Sequence, residues 1–195
     1  MVKHLQAGRT SAVNPADVEP VAEAVVQKTL PHLSPMVQDM VKVQRYICGR
    51  PQDVFNMRLC DIDMSSKIWK YTPFKHKTKK LGKIRELPVG PRAQRILKPY
   101  IKRCKDNPEQ FIFITPRGKQ YTGQYYNQAI AAACKKAGIA KWAPNQLRHA
   151  GGTAVRDKFG LDCAQVMLGH SKVRTTELYA KVAYEKAERV AEKLG

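Results

Sequence analysis

Apolar residues in the first third of the chain recur at helical spacing: Val21, Val25, Val26 and Leu30, then Met36, Val37, Met40 and Val41. Side chains three or four positions apart share a helix face, so residues 18–46 are expected to form two helices, divided at Pro31 and Pro35. Pro51 suits a first helical turn, and the helix it opens is expected to run over 52–59. The pattern then changes. Segments 68–72, 84–89 and 111–114 are short, aromatic and β-branched, and predict a small three-stranded sheet. Helical spacing returns at 92–105, through Ala93, Ile96, Leu97, Tyr100 and Ile101. Further helices are expected at 125–137, 146–159, 163–168 (stopped by Gly169) and 176–182. A final stripe of Ala183, Ala187, Val190, Ala191 and Leu194 predicts an amphipathic helix, with Glu185 and Arg189 paired on its outer face. The expected fold class is α+β, mostly α-helical with a small three-stranded antiparallel sheet. Residues 1–17, polar and small, read as a linker or arm; 18–182 form one domain; the helix in 183–195 docks either on its own domain or on a neighbouring protomer.

Charge narrows the choice of partner. With 35 Lys and Arg against 16 Asp and Glu, the net charge is +19, a self-repelling field that a polyanion screens. Nucleic acid is the first candidate. A membrane is the competitor, but the longest apolar runs, 111–114 and 129–134, are far too short to span one. The start of the chain lacks an apolar signal core, so a cytoplasmic protein is expected. The five cysteines form no CxxC pair and are odd in number, which disfavours both a disulfide framework and a zinc site.

Candidate chemistry concentrates in a few places. Residues 75–85 hold six Lys or Arg and no acid. A β-hairpin of that content places Lys75, Lys79, Lys80, Lys83 and Arg85 at phosphate spacing along a duplex. Asn145, Arg148 and His149 share one face at the start of a helix, which is either an anion site in outline or an N-cap beside a surface cation. Arg50 directly precedes a helix, with Asp53 three residues on. Leu168-Gly169-His170 is followed nine residues later by Tyr179. Metal-free phosphoryl transfer needs fixed cations for the non-bridging oxygens, a nucleophile and an acid for the leaving oxygen, and this set contains each. Arg117, Lys119 and the 121–128 segment are further candidates for groove contact.

From Val18 to Val182 the chain resembles the catalytic domain of the tyrosine recombinases, the phage integrase family. An R-x-x-E/D motif followed by L-x-x-L-R-x-x-D-I-D or similar resembles Arg50-Pro51-Gln52-Asp53-Val54-Phe55-Asn56-Met57-Arg58-Leu59-Cys60-Asp61-Ile62-Asp63; H-x-L-R-H resembles Asn145-Gln146-Leu147-Arg148-His149; L-G-H with a tyrosine nine residues on resembles Leu168-Gly169-His170 and Tyr179. The resemblance implies the integrase catalytic-domain fold and site-specific DNA cleavage and rejoining, as in DNA integration and recombination by mobile elements. It implies that Tyr179 attacks the scissile phosphate to form a 3′-phosphotyrosyl link, while Arg50 and Arg148 hold the non-bridging oxygens. His170 would position the phosphate or assist proton transfer, Lys77 would be the general acid (Lys75 and Lys80 being alternatives), Asp53 would orient an arginine, and His149 would support the site from behind. It further implies double-stranded DNA as partner, a tetramer on that DNA, and no metal, ATP or other cofactor.

The sequence departs from the motif in three ways. Asn145 stands where the family has His or Lys, and an amide donates a hydrogen bond but cannot carry a proton. The usual T-G-x-R reads Ile47-Cys48-Gly49-Arg50, a displaced glycine expected to alter the turn feeding Arg50. Residues 1–17 are too short for the helical core-binding domain that precedes such catalytic domains, so weaker affinity and target specificity are expected. The alternatives are a DNA-binding module on the same scaffold with little or no catalysis, or relaxation chemistry of the type IB topoisomerases. RNA binding explains the charge but none of the motifs.

Overall fold

A computed structural model describes residues 19–74, 85–168 and 187–195. Four of its helices open on proline: α2 (Pro35–Tyr46), α3 (Pro51–Phe55), α4 (Pro91–Arg103) and α6 (Pro144–Phe159). Proline lacks an N–H where the first turn has no carbonyl to offer one, and its fixed φ is already helical. Three more, α1 (Glu23–Thr29), α5 (Gly123–Lys136) and α7 (Leu161–Leu168), open without proline. Between α1 and α2 the chain turns through a short 3-10 segment, Leu30–His32, at the predicted division. The predicted helix over 52–59 is shorter, ending at Phe55, because Arg58 is extended and bridges to Phe111.

The sheet has the predicted size and antiparallel order but one different strand. β1 (Ile62–Asp63), β2 (Trp69–Tyr71) and β3 (Leu87–Val89) lie in the order β1-β2-β3, with Tyr71 opposite both Ile62 and Leu87. Pro88 is accommodated because β3 is an edge strand. The 111–114 segment makes only single bridges, Phe111 to Arg58 and Ile114 to Gln120. Its two central residues, Ile112 and Phe113, are both fully buried, so this apolar run records immersion in the core rather than membership of a half-exposed ladder.

α2 is the centre of the main core. Val37, Met40, Val41, Val43 and Ile47 pack with Tyr71, Leu87 and Val89 of the sheet, Leu97 of α4, Tyr126 and Ile130 of α5, and Leu147 of α6. A second cluster joins Cys48, Val155, Ala164, Met167, Ala187 and Val190. Residues 187–194 are helical and lay their apolar stripe on this same chain, with Ala187, Val190 and Ala191 buried. The fit is tight: a Cβ on Gly90 would lie 2.1 Å from the Ala191 carbonyl oxygen. All five cysteines are free thiols, and among the described residues no helix is long and apolar enough to cross a membrane. The predicted arm at 1–17 and helix at 176–182 fall outside the described residues.

Candidate active site

Arg50 is the residue before α3, in extended conformation at φ −69°, ψ 154°. Asp53, in the first turn, accepts the Arg50 backbone N–H at 2.6 Å, while its own amide donates to the Arg50 carbonyl at 2.9 Å. A carboxylate in that position satisfies a helix donor and suits the positive end of the helix. The Asp53 side chain is fully buried and also binds Arg85, whose Nη1 lies 2.8 Å from Oδ2 and 3.1 Å from Oδ1. Tyr71 Oη donates to the Asp53 carbonyl at 2.7 Å. The arginine held by the Asp53 side chain is therefore Arg85, and Arg50 is held through its backbone.

Arg85 corrects an expectation. The basic run groups it with the hairpin lysines as a DNA contact, yet it is only 5% exposed and ion-paired inside the protein. Alternation explains this. Glu86 is exposed and reaches Lys70 at 3.6 Å, while Arg85 and Leu87 lie on the opposite, buried face leading into β3. Its Nε and Nη2 are buried without a hydrogen-bond partner among the described residues.

Arg148, on α6, is 98 positions from Arg50 in sequence but meets the same turn. Its Nη1 donates to the Cys48 carbonyl at 3.0 Å and its Nη2 donates to the Leu168 carbonyl. It is 5% exposed, and burial, reinforced by the neighbouring charges of Arg85 and Arg50, lowers its pKa to about 10. It remains charged at neutral pH. Within the turn, Cys48 takes φ +49°, the left-handed conformation, at the position where the family motif has its glycine. The left-handed residue is thus a buried cysteine, its thiol pushed up to about 11 by desolvation, and Gly49 follows it. Gly151 of α6 lets this thiol approach: a Cβ there would lie 2.8 Å from Sγ.

Gln44 was not anticipated. Fully buried on α2, it donates to the Gly49 carbonyl at 3.3 Å and to the Pro144 carbonyl at 2.8 Å, and accepts from Tyr126 Oη at 3.0 Å. It fastens the turn before Arg50 to the first residue of the helix that carries Arg148. A polar residue in register with the apolar stripe of Met40 and Val41 was the signal available in the sequence.

Asn145 does not cap α6. Ala143 holds that position, and its N–H is taken by Gln146 Oε1 at 2.8 Å, leaving Asn145 exposed one turn below His149. The Asn145 amide nitrogen and His149 Nε2 lie 3.2 Å apart, so the predicted shared face holds for these two, whereas Arg148 points inward. Arg117 and Lys119 are exposed, but Tyr121 and Tyr126 of the candidate groove-contact segment are core residues. Lys75, Lys77, Lys79, Lys80, Lys83, His170 and Tyr179 lie outside the described residues. Among the described residues no three His, Cys, Asp or Glu groups come together as metal ligands.

What is assembled is three guanidinium groups, Arg50, Arg85 and Arg148, around a single buried carboxylate, Asp53. The formal balance is +3 − 1 = +2. Arg50 is partly exposed, and its guanidinium donates no hydrogen bond among the described residues. Such a site is suited to a tetrahedral oxyanion, whose oxygens accept from forked N–H donors.

The phage integrase family model matches residues 24–186. Similar proteins include the tyrosine recombinase XerC of Bifidobacterium longum subsp. infantis, 29% identical over 150 residues, covering 70% of this chain and 40% of that protein. The tyrosine recombinase XerD of Chlamydia trachomatis is 31% identical over 137 residues, covering 65% of this chain and 44% of its own. The chain thus spans less than half the length of these relatives. Among solved structures, the integrase of mycobacterium phage Brujita superposes with a TM-score of 0.65 at 19% identity, over 94% of this chain and 60% of that one. XerA recombinase gives 0.63 at 21%, over 92% and 66%. A lambda integrase dimer bound to a COC′ core site gives 0.65 at 15%, over 85% and 62%.

Proposed function

This chain belongs to the phage integrase family, and from that premise we propose that it cleaves and rejoins duplex DNA at specific sites through a covalent phosphotyrosyl link. The observation that carries the reading is the convergence of Arg50 and Arg148 on one turn, Arg50 leaving it by the backbone and Arg148 hydrogen-bonded to its Cys48 carbonyl. Two cations brought to one turn can neutralise the non-bridging oxygens of a phosphodiester as charge builds up in the transition state.

In this reading Tyr179 Oη attacks phosphorus, the bond to the 5′ oxygen breaks, and the products are a 3′-phosphotyrosine and a 5′-hydroxyl. The tyrosine proton is lost and the leaving oxygen gains one from a lysine of the 75–83 run, Lys77 being the residue in the matching place. One phosphodiester replaces another, so attack by a second 5′-hydroxyl reverses the step without an external energy source. His170 assists at the phosphate, and the lysine run together with Lys119 and Arg117 contacts the backbone of the duplex. Asn145 offers a hydrogen bond where the family has a titratable group, leaving proton transfer to His170 and the lysine. The working form is a tetramer on DNA in the cytoplasm.

The test is to incubate the purified chain and its Tyr179→Phe variant with labelled nicked duplexes from the DNA flanking its own gene, and to look for a denaturant-resistant adduct. An adduct with the unaltered chain alone is expected. Binding by both proteins without an adduct refutes the cleavage reading in favour of a DNA-binding scaffold, and equal behaviour on RNA refutes both.

A further inference from the structure

The proposed chemistry has no task for Arg85, yet it is a charge buried at a cost. It is 5% exposed, its only ion-pair partner among the described residues is Asp53, and two of its nitrogens, Nε and Nη2, are buried without an acceptor among those residues. Burying a guanidinium with unused donors is unfavourable, and a buried ion pair is often no more stable than apolar residues of the same volume. Stability alone gives little reason for the pair.

Its location gives a better one. Arg85 follows the lysine-rich run directly in sequence and leads into β3, where Leu87 pairs with Tyr71. Arg85 and Tyr71 then reach the same residue of α3, one gripping the Asp53 carboxylate and the other its carbonyl. The carboxylate so gripped is the acceptor for the Arg50 amide. One ion pair therefore ties the end of the lysine run to the helix start from which Arg50 projects.

We infer that Arg85 is a positioning residue for strand cleavage: by gripping Asp53 it fixes the first turn of α3, and with it the backbone from which Arg50 projects, relative to β3. This rests on the proposed function, because the direction of Arg50 matters to the chemistry only if Arg50 holds the scissile phosphate. Arg85 touches no substrate in this scheme. A purely structural ion pair would influence folding without selective influence on the chemical step.

The test uses the full 195-residue chain and three variants: Arg85→Lys, Arg85→Gln and the charge-free pair Asp53→Asn/Arg85→Gln. The ¹⁵N–¹H resonance of the Arg50 amide, donated to a carboxylate at 2.6 Å, is expected far downfield, to move upfield in Arg85→Gln and to return part of the way in Arg85→Lys. Single-turnover adduct formation on a nicked duplex is expected to fall roughly 10- to 100-fold in Arg85→Gln, as for a misplaced catalytic group. The salt dependence of DNA affinity should stay as in the parent, since no phosphate contact is removed. An Arg50 amide unmoved in both single variants overturns the inference, as does a folded double variant that cleaves at the parental rate. A salt slope reduced by about one also overturns it, making Arg85 a phosphate contact. If the parent forms no adduct the proposed function falls separately, and the Arg50 amide still decides whether the clamp exists. If Arg85→Gln does not fold, Arg85→Lys and the double variant carry both readouts.

Discussion

Replacing Arg148 with lysine preserves the charge and removes the fork. In the free protein that fork donates to two carbonyls at once, Cys48 before α3 and Leu168 at the end of α7. A lysine ammonium cannot span both, so one buried carbonyl loses a charged donor, a loss of about 2–3 kcal/mol. For a chain of this size each kcal/mol moves the melting temperature by about 2–4 °C, so a fall of about 5–10 °C is expected by circular dichroism. Charge retention should also weaken. The burial and neighbouring arginines that lower Arg148 to about 10 act on a side chain whose ordinary value is about two units lower to begin with. Raising the pH above neutrality should therefore strip the lysine of its proton. A cation with a depressed folded pKa destabilises while charged, so the variant's stability should recover as pH rises while adduct formation declines. The unaltered chain should show neither trend below about pH 9. A melting temperature within about 1 °C of the parent, with matching pH profiles, would refute the two-carbonyl bridge as a structural element.

Two further outcomes follow from the packing. Gly90→Ala puts a methyl 2.1 Å from the Ala191 carbonyl oxygen, so the 187–194 helix must shift; a loss of about 1–3 kcal/mol and faster proteolysis within 187–194 are expected, and unchanged protease resistance would show that the fit is looser than described. The Cys48 thiol, raised from 9.0 to about 11, keeps its proton in the folded state, so its contribution is whole below pH 9 and lost as pH climbs toward 11, about 3 kcal/mol at most. The stability difference between the parent and Cys48→Ala should shrink by that amount over the same interval in urea titrations, and a difference independent of pH would contradict the burial of the thiol.

The helices were legible because proline and apolar spacing act locally: Pro35, Pro51, Pro91 and Pro144 each open one. The third strand was not, since a fully buried segment such as 111–114 and a sheet strand present the same apolar run, while Ile62–Asp63 is too short to show a period. Arg50 and Arg148 were found from their motifs. The anchoring of Arg148 was not legible, because it is made by the Cys48 and Leu168 carbonyls, and every residue has a carbonyl. Arg85 was misread because a basic run suggests exposure, and only the alternation of Arg85, Glu86 and Leu87 marks where the run turns inward. Gln44 passed unnoticed for a related reason: one polar residue on an apolar stripe becomes conspicuous only once its three partners, from α3's approach, α5 and α6, are known.

The turn shared by the two arginines acts as a ruler made of peptide units. Arg148 is hydrogen-bonded to the carbonyl of residue 48 and Arg50 begins two residues later, so the stretch from that carbonyl to Arg50 is a fixed count of covalent bonds. Covalent lengths do not relax when a neighbouring side chain is enlarged, truncated or drifts over generations. Substitutions in the core around the turn therefore leave that count unchanged, while the Asp53–Arg85 grip sets the direction in which Arg50 leaves it. Length is the quantity held here: one residue inserted or deleted between Ile47 and Arg50 changes the ruler itself, and no compensating substitution elsewhere can restore its graduation.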